Sequence, residues 1–369
     1  MTRSPSISLR VLLLASFTLF VLLADDVTVT EFGQFQRPRG SKPIITPQLK
    51  ATFQDPILQK PVAWEALHTF NPAAVVLNDK VFVLYRAEDN SGSMKIGMHR
   101  SRLGLAESTD GIHFEQHAEP VFYPDRDSEQ SREWPGGVED PRIVESEDGT
   151  YILTYTQWNR NTYRVGIATS RDLLHWTKHG PAFGLTGKYA SLAYKSAGIL
   201  THVVNDRLVA ARLSGKYWMY WGEIEVRLAT STDLIHWTPV EGSDGKPVVL
   251  LAPRPGRFDS ALPEVGPPPV LTDKGIVLLY NGKNATEKRD TRLAPGTYAA
   301  GQAVFAADDP AKLASRSAAP FFEPQMPWER SGQYAAGTTF LEGLVRFRQR
   351  WFLYYGCADS FVGVAFTEH

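Results

Sequence analysis

The chain lacks the features that mark several common classes of protein. Cys357 is the only cysteine among 369 residues, which excludes an intramolecular disulfide, a cysteine-based zinc site and Cys-x-x-Cys redox chemistry. Excess charge is also lacking, because 39 Lys and Arg are set against 40 Asp and Glu. Without a global positive field, the chain is not expected to bind nucleic acid.

Sequence fingerprints for bound cofactors are missing as well. The chain has no Walker-type phosphate loop and no Gly-x-Gly-x-x-Gly segment. We therefore expect no cofactor and no metal. What the chain does have is 9 Trp, 14 Tyr and 19 Phe, which is ample material for a large hydrophobic core.

The N-terminus carries the one long apolar run. Arg3 and Arg10 precede the stretch 11–24 (VLLLASFTLFVLLA), which two aspartates end abruptly. This pattern predicts a secretory leader at 1–24, or an uncleaved N-terminal anchor, since the run is short of the about 20 residues of a membrane span. The remaining residues, 25–369, are expected to form a single catalytic domain exported to the periplasm or the medium. No membrane partner is expected beyond such an anchor.

A phrase of about ten residues recurs along the rest of the chain. It reads LAESTDGIHF at 105–114, IATSRDLLHW at 167–176 and LATSTDLIHW at 228–237, with looser copies at 304–310 and 362–366. The first three copies are about sixty residues apart, an interval typical of repeat folds. We interpret the phrase as a structural turn lock, so its histidines are not expected to act as ligands or bases.

Short β patterns fill the intervals between these copies. They lie at 74–77, 81–85, 151–155, 208–212, 276–280 and 351–355, and turn pairs such as Asp148-Gly149 join them to their neighbours. Four short antiparallel strands in about sixty residues make one blade of a propeller. Five copies of the unit predict an all-β fold, a five-bladed β-propeller around a central channel.

Residues 136–143 (GGVEDPRI) form the strongest candidate for chemistry. The inner strands of a propeller direct polar residues towards its axis, and the glycines allow close approach of the main chain. If the segment is extended, the adjacent Glu139 and Asp140 point in opposite directions, so only one carboxylate faces the axis. On spacing alone, a turn with a surface ion pair explains the same residues equally well.

The stretch GVEDPRI at 137–143 resembles the signature of glycoside hydrolase family 130, five-bladed propellers that act on β-mannosides. Similar short motifs follow in order: FNPA at 70–73, LYRA at 84–87, YWMYWGE at 217–223, FDS at 258–260, LYNG at 279–282 and YYGCAD at 354–359. The resemblance implies that Asp140 is the proton donor to the glycosidic oxygen, acting through a hydroxyl of the mannosyl ring. It also implies a β-mannoside oligosaccharide as substrate.

Further residues near the matched motifs are expected to contact the substrate. They are Asn71, Arg86, Arg142, Lys195, Asp259, Asn281, Lys283 and Asp359. The alternative for any one of them is an ordinary hydrogen bond at the end of a strand.

The family contains phosphorylases, which use phosphate, and hydrolases, which use water. A phosphorylase needs a cationic cradle for its dianion. Here Glu223 stands where the family's phosphorylases carry basic residues, Asn281 stands where a histidine is expected, and Glu264 adds a second carboxylate. Like charges about 4 Å apart repel by about 4 kcal/mol at an effective dielectric constant of 20. We therefore predict a hydrolase that cleaves β-mannosides, with β-1,2 as the expected linkage.

The predicted mechanism is inversion in a single displacement. Asp140 is the acid, and Glu223 or Glu264, or both, activate the water, with Glu225 as a competitor for the base. The scheme expects burial or negative neighbours to raise the pKa of Asp140. It also expects the acid and base carboxyls about 6.5–9.5 Å apart, unless the proton relay widens the gap.

Two alternatives remain open. A mannoside phosphorylase releasing mannose 1-phosphate is kept open by Lys195 and Lys283, and it would gain if both lysines converged while both glutamates faced solvent. The second alternative is a propeller that binds glycans without catalysis, because fold does not fix function.

Overall fold

The computed structural model describes Met1, residues 29–92 and residues 95–368. Apart from Met1, the predicted leader or anchor at 1–24 therefore lies outside the described residues. Within the described ranges there is one four-residue α-helix, α1 (Gln130–Glu133), and one 3-10 helix, Pro327–Glu329. No helix of these ranges is long and apolar enough to cross a membrane.

Strands make up the rest of the regular structure, and they are named here in chain order. A lead-in contains β1 (Phe35–Gln36), β2 (Phe53–Asp55) and β3 (Lys60–Val62). Then follow β4 (His68–Leu77), β5 (Lys80–Asp89), β6 (Arg100–Ser108), β7 (Glu115–Gln116), β8 (Gly137–Glu145), β9 (Tyr151–Trp158), β10 (Tyr163–Ser170) and β11 (Thr177–Pro181). The middle of the chain forms β12 (Ala197–Ile199), β13 (Thr201–Val204), β14 (Arg207–Ala210), β15 (Arg212–Leu213), β16 (Lys216–Trp221), β17 (Val226–Ser231), β18 (Thr238–Pro239) and β19 (Val249–Leu251). The last are β20 (Leu262–Val265), β21 (Val270–Thr272), β22 (Gly275–Lys283), β23 (Tyr298–Phe305), β24 (Leu313–Arg316), β25 (Thr339–Phe347), β26 (Arg350–Cys357) and β27 (Phe361–Thr367).

Antiparallel pairing groups twenty of these strands into five four-stranded blades. Their orders are β4-β5-β6-β7, β8-β9-β10-β11, β12-β16-β17-β18, β20-β22-β23-β24 and β25-β26-β27-β1. The N-terminal β1 completes the last blade by pairing with the C-terminal β27, Phe35 opposite Thr367. This closure joins the two ends of the described chain, and the predicted five-bladed propeller is confirmed.

Five hydrophobic clusters hold the blades together, one between each pair of neighbours. Blade 1 packs on blade 2, blade 2 on blade 3, blade 3 on blade 4, blade 4 on blade 5, and blade 5 back on blade 1. Tyr85 and Tyr354, for example, are fully buried in the cluster that joins blades 1 and 5. Because the ring of clusters is closed, every blade buries both of its apolar faces.

The recurring phrase is a turn lock, as predicted. It covers the end of the third strand of a blade and the turn that follows. In blade 2, Asp172 Oδ1 accepts the main-chain N–H groups of Leu174 and His175 at 2.9 and 2.8 Å, and its Oδ2 lies 2.7 Å from His175 Nδ1. The same contacts recur around Asp110 and Asp233. The histidines of the phrase are exposed, so they serve the turns.

The innermost strands of three blades are interrupted by β-bulges. The pairing register shifts between Phe70 and Pro72 in β4, between Glu139 and Arg142 in β8, and between Leu341 and Gly343 in β25. Asn71 and Asp140 adopt positive φ angles of 47° and 49° there. A bulge re-aims a side chain that regular pleating would direct elsewhere. The three bulges thus alter which polar groups approach the axis.

Candidate active site

A cavity of about 270 Å³ gathers residues from all five blades. Seven of the predicted site residues line it: Asn71, Arg86, Asp140, Lys195, Glu223, Glu264 and Asp359. Its other walls include Phe70, Glu88, Glu139, Thr156, Trp158, Tyr163, Tyr298, Gln333, Tyr334 and Phe340. Residues nearly three hundred positions apart in sequence therefore share one pocket, as the propeller topology requires.

Asp140 lies in the bulge of β8 and is held on one oxygen by two donors. Asn71 Nδ2 donates to Oδ1 at 2.8 Å, and Arg86 Nη1 donates to the same oxygen at 3.1 Å. Lys195 Nζ lies 3.8 Å from Oδ2. Burial alone would raise the pKa of Asp140, but Arg86 and Lys195 outweigh it and lower the pKa to about 2. The expected upward shift is therefore wrong, since two cations lie beside the carboxylate.

Glu139 also lines the cavity, contrary to the expectation that only one of the adjacent carboxylates faces the axis. The bulge breaks the alternation on which that expectation rested. Glu139 Oε1 accepts from Ser101 Oγ at 3.0 Å and lies 2.9 Å from Arg86 Nη2. Burial, and then the negative charge of Asp140, outweigh Arg86 and raise the pKa of Glu139 to about 7.

The two predicted base residues face the same cavity across from Asp140. Glu223 and Glu264 are paired in a short antiparallel bridge, and Lys195 Nζ lies 3.4 Å from a carboxylate oxygen of each. Glu264 is buried, and its Oε1 accepts a hydrogen bond from Ser196 Oγ. Burial, despite Lys195, raises the pKa of Glu264. The competitor Glu225 pairs instead with Arg227 in a neighbouring cavity.

Lys195 sets an upper limit on the distance between the acid and a base. Its Nζ lies 3.8 Å from Asp140 Oδ2 and 3.4 Å from Glu264 Oε1. The distance between those two oxygens therefore cannot exceed the sum of these two distances. This ceiling lies within the about 6.5–9.5 Å typical of inverting glycosidases. The separation itself stays a prediction.

Asp359 and Arg86 form another part of the cavity wall. Arg86 Nη2 donates to Glu88 Oε1 at 2.6 Å as well as contacting Glu139, so its guanidinium joins three carboxylates. Burial, followed by repulsion from Glu88, outweighs Arg86 and raises the pKa of Asp359 to about 7. The pKa of Glu88, in contrast, is lowered despite its burial, chiefly by Arg86, so carboxyls with raised and lowered pKa values lie side by side here. A carboxyl accepts hydrogen bonds from sugar hydroxyls when ionised and can also donate one when protonated.

Three predicted substrate ligands lie away from the cavity lining. Arg142 is buried and donates to main-chain carbonyls. Asp259 is held by Arg254 and Tyr280, and Asn281 is bound through both amide atoms to Leu341. Their polar groups are used within the protein, and they are not among the residues that line this cavity. Their roles as substrate ligands stay predictions.

Lys283 also does not line the cavity. Its Nζ lies 5.2 Å from the ring centre of Tyr298 and 5.5 Å from that of Tyr334, two residues that do line it. The pattern that would have favoured phosphate, with converging lysines and solvent-facing glutamates, is therefore absent from this part of the described chain.

Several wall residues escaped the sequence analysis. Glu88 directly follows the LYRA motif, and its even spacing from Arg86 on an extended strand was the signal that could have found it. Tyr163, Tyr298 and Gln333 lie in no matched motif, and only the closing of the ring brings them to the cavity.

One set of side chains meets the simplest requirement for a metal site. Ligand atoms of His68, Glu88 and His99 lie within 4.8 Å of one another. They already have protein partners, however: Glu88 bonds Arg86 and His99, and His68 Nδ1 lies 2.9 Å from Ser360 Oγ. A guanidinium on the shared carboxylate disfavours a second cation.

Comparisons with known proteins place this geometry in a family. The model of glycoside hydrolase family 130, described as beta-1,4-mannooligosaccharide phosphorylase, matches residues 38–369. The 1,2-beta-oligomannan phosphorylase of Thermoanaerobacter sp. (strain X514) is 31% identical, over 87% of this chain and 97% of its own. A crystal structure of a glycosyl hydrolase from Bacteroides ovatus is 53% identical, with a TM-score of 0.89 over 91% of this chain and 94% of its own.

A further solved structure has the same identity, coverage and TM-score. It is described by the words "The GH130 family of mannoside phosphorylases contains glycoside hydrolases that target beta-1,2 mannosidic linkages in Candida mannan". The chain belongs to glycoside hydrolase family 130, and it is an enzyme of that family. The names of the curated relatives favour the phosphorylase alternative over the predicted hydrolysis.

Proposed function

We propose that this enzyme hydrolyses β-1,2-mannosides, with inversion and with water as the nucleophile. The charge of the cavity carries this proposal. Among the described residues, six carboxyl side chains and only two cationic side chains, Arg86 and Lys195, line it. Both cations already contact carboxylates, Arg86 three of them and Lys195 three.

A phosphate dianion at the anomeric carbon would have to approach Glu223 and Glu264. Each contact of like unit charges near 4 Å costs about 4 kcal/mol at an effective dielectric constant of 20. Lys195 offsets part of that cost, but it is shared among three carboxylates already. A neutral water molecule is not repelled in this way. An ionised glutamate can also remove its proton.

The acid function follows from the adjacent pair Glu139 and Asp140. Two carboxyls that share a cation titrate as a pair, and the raised pKa of Glu139, about 7, lets the pair hold a proton near neutral pH. When the sugar displaces Lys195 from Asp140, the pKa of Asp140 rises and the acid takes up that proton. Asp140 then protonates the leaving oxygen through a ring hydroxyl, while Glu223 or Glu264 activates water on the opposite face.

Phosphorolysis is the second candidate, and two observations favour it. The curated relatives are named as phosphorylases. Lys195 also lies between the acid and both glutamates, where it could contact a phosphate if the glutamates were protonated. The release of mannose 1-phosphate would then replace the release of mannose.

One assay separates the two candidates. The purified enzyme is given β-1,2-mannobiose with and without inorganic phosphate, and mannose and mannose 1-phosphate are both measured. We expect mannose at equal rates in both reactions. Turnover that requires phosphate, with mannose 1-phosphate as product, would reject hydrolysis. Turnover in neither reaction would favour a propeller that binds glycans without catalysis.

We further propose that the propeller, residues 25–369, acts after export. The apolar stretch 11–24 with its preceding arginines supports this. Fractionation of cells producing the full chain, with N-terminal sequencing of the product, tests it. Activity confined to the cytoplasm would overturn the proposal.

A further inference from the structure

Glu342 is a buried carboxyl that the proposed reaction does not use. It lies at the register shift in β25, so blade 5 has a bulge on its innermost strand as blades 1 and 2 do at Asn71 and Asp140. The side chain is fully buried, and neither carboxyl oxygen has a hydrogen-bond partner among the described residues. Its nearest cation is Arg142, whose Nη2 lies 3.1 Å from Oε1.

Arg142 joins two parts of the active site through its main-chain contacts. Nη1 donates to the carbonyl of Asp140 at 3.1 Å, which is the main chain of the acid itself. Nη2 donates to Val265 O at 2.6 Å and Nε to Gly266 O at 2.7 Å, directly after Glu264. One guanidinium therefore connects the strand of the acid in blade 2 to the strand of a base in blade 4.

We propose that Glu342 is a positioning residue: by holding Arg142, it fixes Asp140 relative to Glu264. The inference rests on the proposed function, because it concerns the acid and base of that same site. Main-chain carbonyls of blades 2 and 4 already orient the planar guanidinium. Glu342 adds a contact from a third blade, 3.1 Å from Nη2, which opposes movement of the guanidinium along those carbonyls.

The charged groups that face Glu342 are Arg142, Asp140, Glu264 and Lys195. Burial raises the pKa of Glu342 well above its usual range, and repulsion from Asp140 and Glu264 adds to it. We assign the positioning role to the reach of Oε1 towards Arg142, 3.1 Å from Nη2, and not to a negative charge on it. Glutamine keeps that reach without the charge, and aspartate keeps the carboxyl at a shorter reach, so shape and charge are separable by mutation.

Three variants separate them. Glu342→Gln keeps an oxygen at the same reach and is expected to retain kcat within about 3-fold of the wild type. Glu342→Asp keeps the carboxyl but withdraws it, and Glu342→Ala removes it. Both are expected to lower kcat by roughly 10- to 100-fold with KM changed less than about 3-fold, because small misplacement of catalytic groups costs rate.

Leu344→Ala is the matched control, since Leu344 is a buried residue of the same strand outside the cavity lining. It should lower thermal stability but leave kcat unchanged. If Glu342→Ala behaves like this control, or if Gln loses as much kcat as Asp and Ala do, the proposal is overturned. Should Ala fail to fold, the comparison of Gln with Asp decides alone.

The proposal can fail independently of the proposed function. An inactive wild type would count against mannoside turnover, and the crystal structures of wild type and Glu342→Asp would then decide. We expect the Asp140 carboxylate displaced relative to Glu264 in the variant. An unchanged separation would overturn the positioning role.

Discussion

Lys195 is the residue whose removal tests the electrostatics of this site most directly. Its Nζ lies 3.4 Å from Glu223 and from Glu264, and 3.8 Å from Asp140. Lys195→Met keeps most of the length and apolar stem of the side chain but removes the charge. We expect the acidic limb of the pH profile of kcat/KM to move to higher pH.

The direction follows from the sign of the charge. The ammonium of Lys195 lowers the pKa of Glu264, although burial keeps that pKa above its ordinary value. Removing the cation raises the pKa further. If Glu264 must be ionised to act as the base, activity then requires a higher pH than in the wild type.

The magnitude follows from the distance. A contact at 3.4 Å between unit charges amounts to about 5 kcal/mol at an effective dielectric constant of 20, and one pKa unit corresponds to about 1.4 kcal/mol. If the protein and solvent did not relax around the missing charge, the pKa of Glu264 would rise by more than three units. The Lys195 side chain is 25% exposed, so water will replace part of its field. We expect a shift of about one to two units, and roughly 10- to 100-fold less activity on the acidic limb.

The assay is the initial rate of mannose release from β-1,2-mannobiose, measured across the pH range in which both proteins stay folded. Lys80→Met is the control, because Lys80 pairs with Glu107 at 2.8 Å on the outside of blade 1 and should leave the profile unchanged. An acidic limb that stays in place or moves to lower pH would refute the reasoning. A rise in KM for phosphate would instead assign Lys195 to phosphate binding.

Two further predictions concern the acid and the repeat. Asp140→Asn is expected to reduce kcat by about 10²- to 10⁴-fold with the thermal unfolding temperature close to that of the wild type; a kcat within 10-fold of the wild type would remove Asp140 from the acid role. Asp172→Ala removes the acceptor of two main-chain N–H groups in a turn of blade 2. The free energy of unfolding, measured with denaturant, should fall by about 0.5–2 kcal/mol, and kcat should be unchanged. A lower kcat under conditions in which the variant is fully folded would contradict a structural role.

The fold was predictable because its signals are local. Alternating apolar residues, turn pairs and the recurring aspartate lie within a few residues of one another, and their interval gives the number of blades. No sequence pattern indicated the ring closure through β1, because Phe35 and Gln36 form a strand of only two residues. What makes them a strand is the free edge of β27, which lies more than three hundred residues away in the chain.

The site was predictable only in part. Motifs identified Asp140, Glu223, Glu264 and Lys195, which the cavity brings together. The same motifs also pointed to Arg142, Asp259 and Asn281, which do not line it. Whether a side chain can contact the substrate depends on whether other protein groups already bond to it, and those groups come from other blades.

The protonation states could not be read from the sequence at all. The expectation for Asp140 failed because its neighbours in space, Arg86 and Lys195, are cations, while the raised pKa belongs to Glu139, the carboxyl next to it in sequence. Burial and contact distance set the sign of each shift, and both depend on the packed structure.

The sequence by itself determined the repeat, the strand content, the absence of a disulfide and the residue types available for catalysis, because these depend on composition and on short-range periodicity. Tertiary structure decided which six carboxyls and two cations meet in one cavity. Ring closure brings together groups from distant parts of the chain, and a bulge in the inner strand of blade 2 interrupts the alternation of side chains at Asp140, so that Glu139 lines the cavity as well. A bulge needs only one residue without a partner on the neighbouring strand, and its position is fixed by packing around the axis.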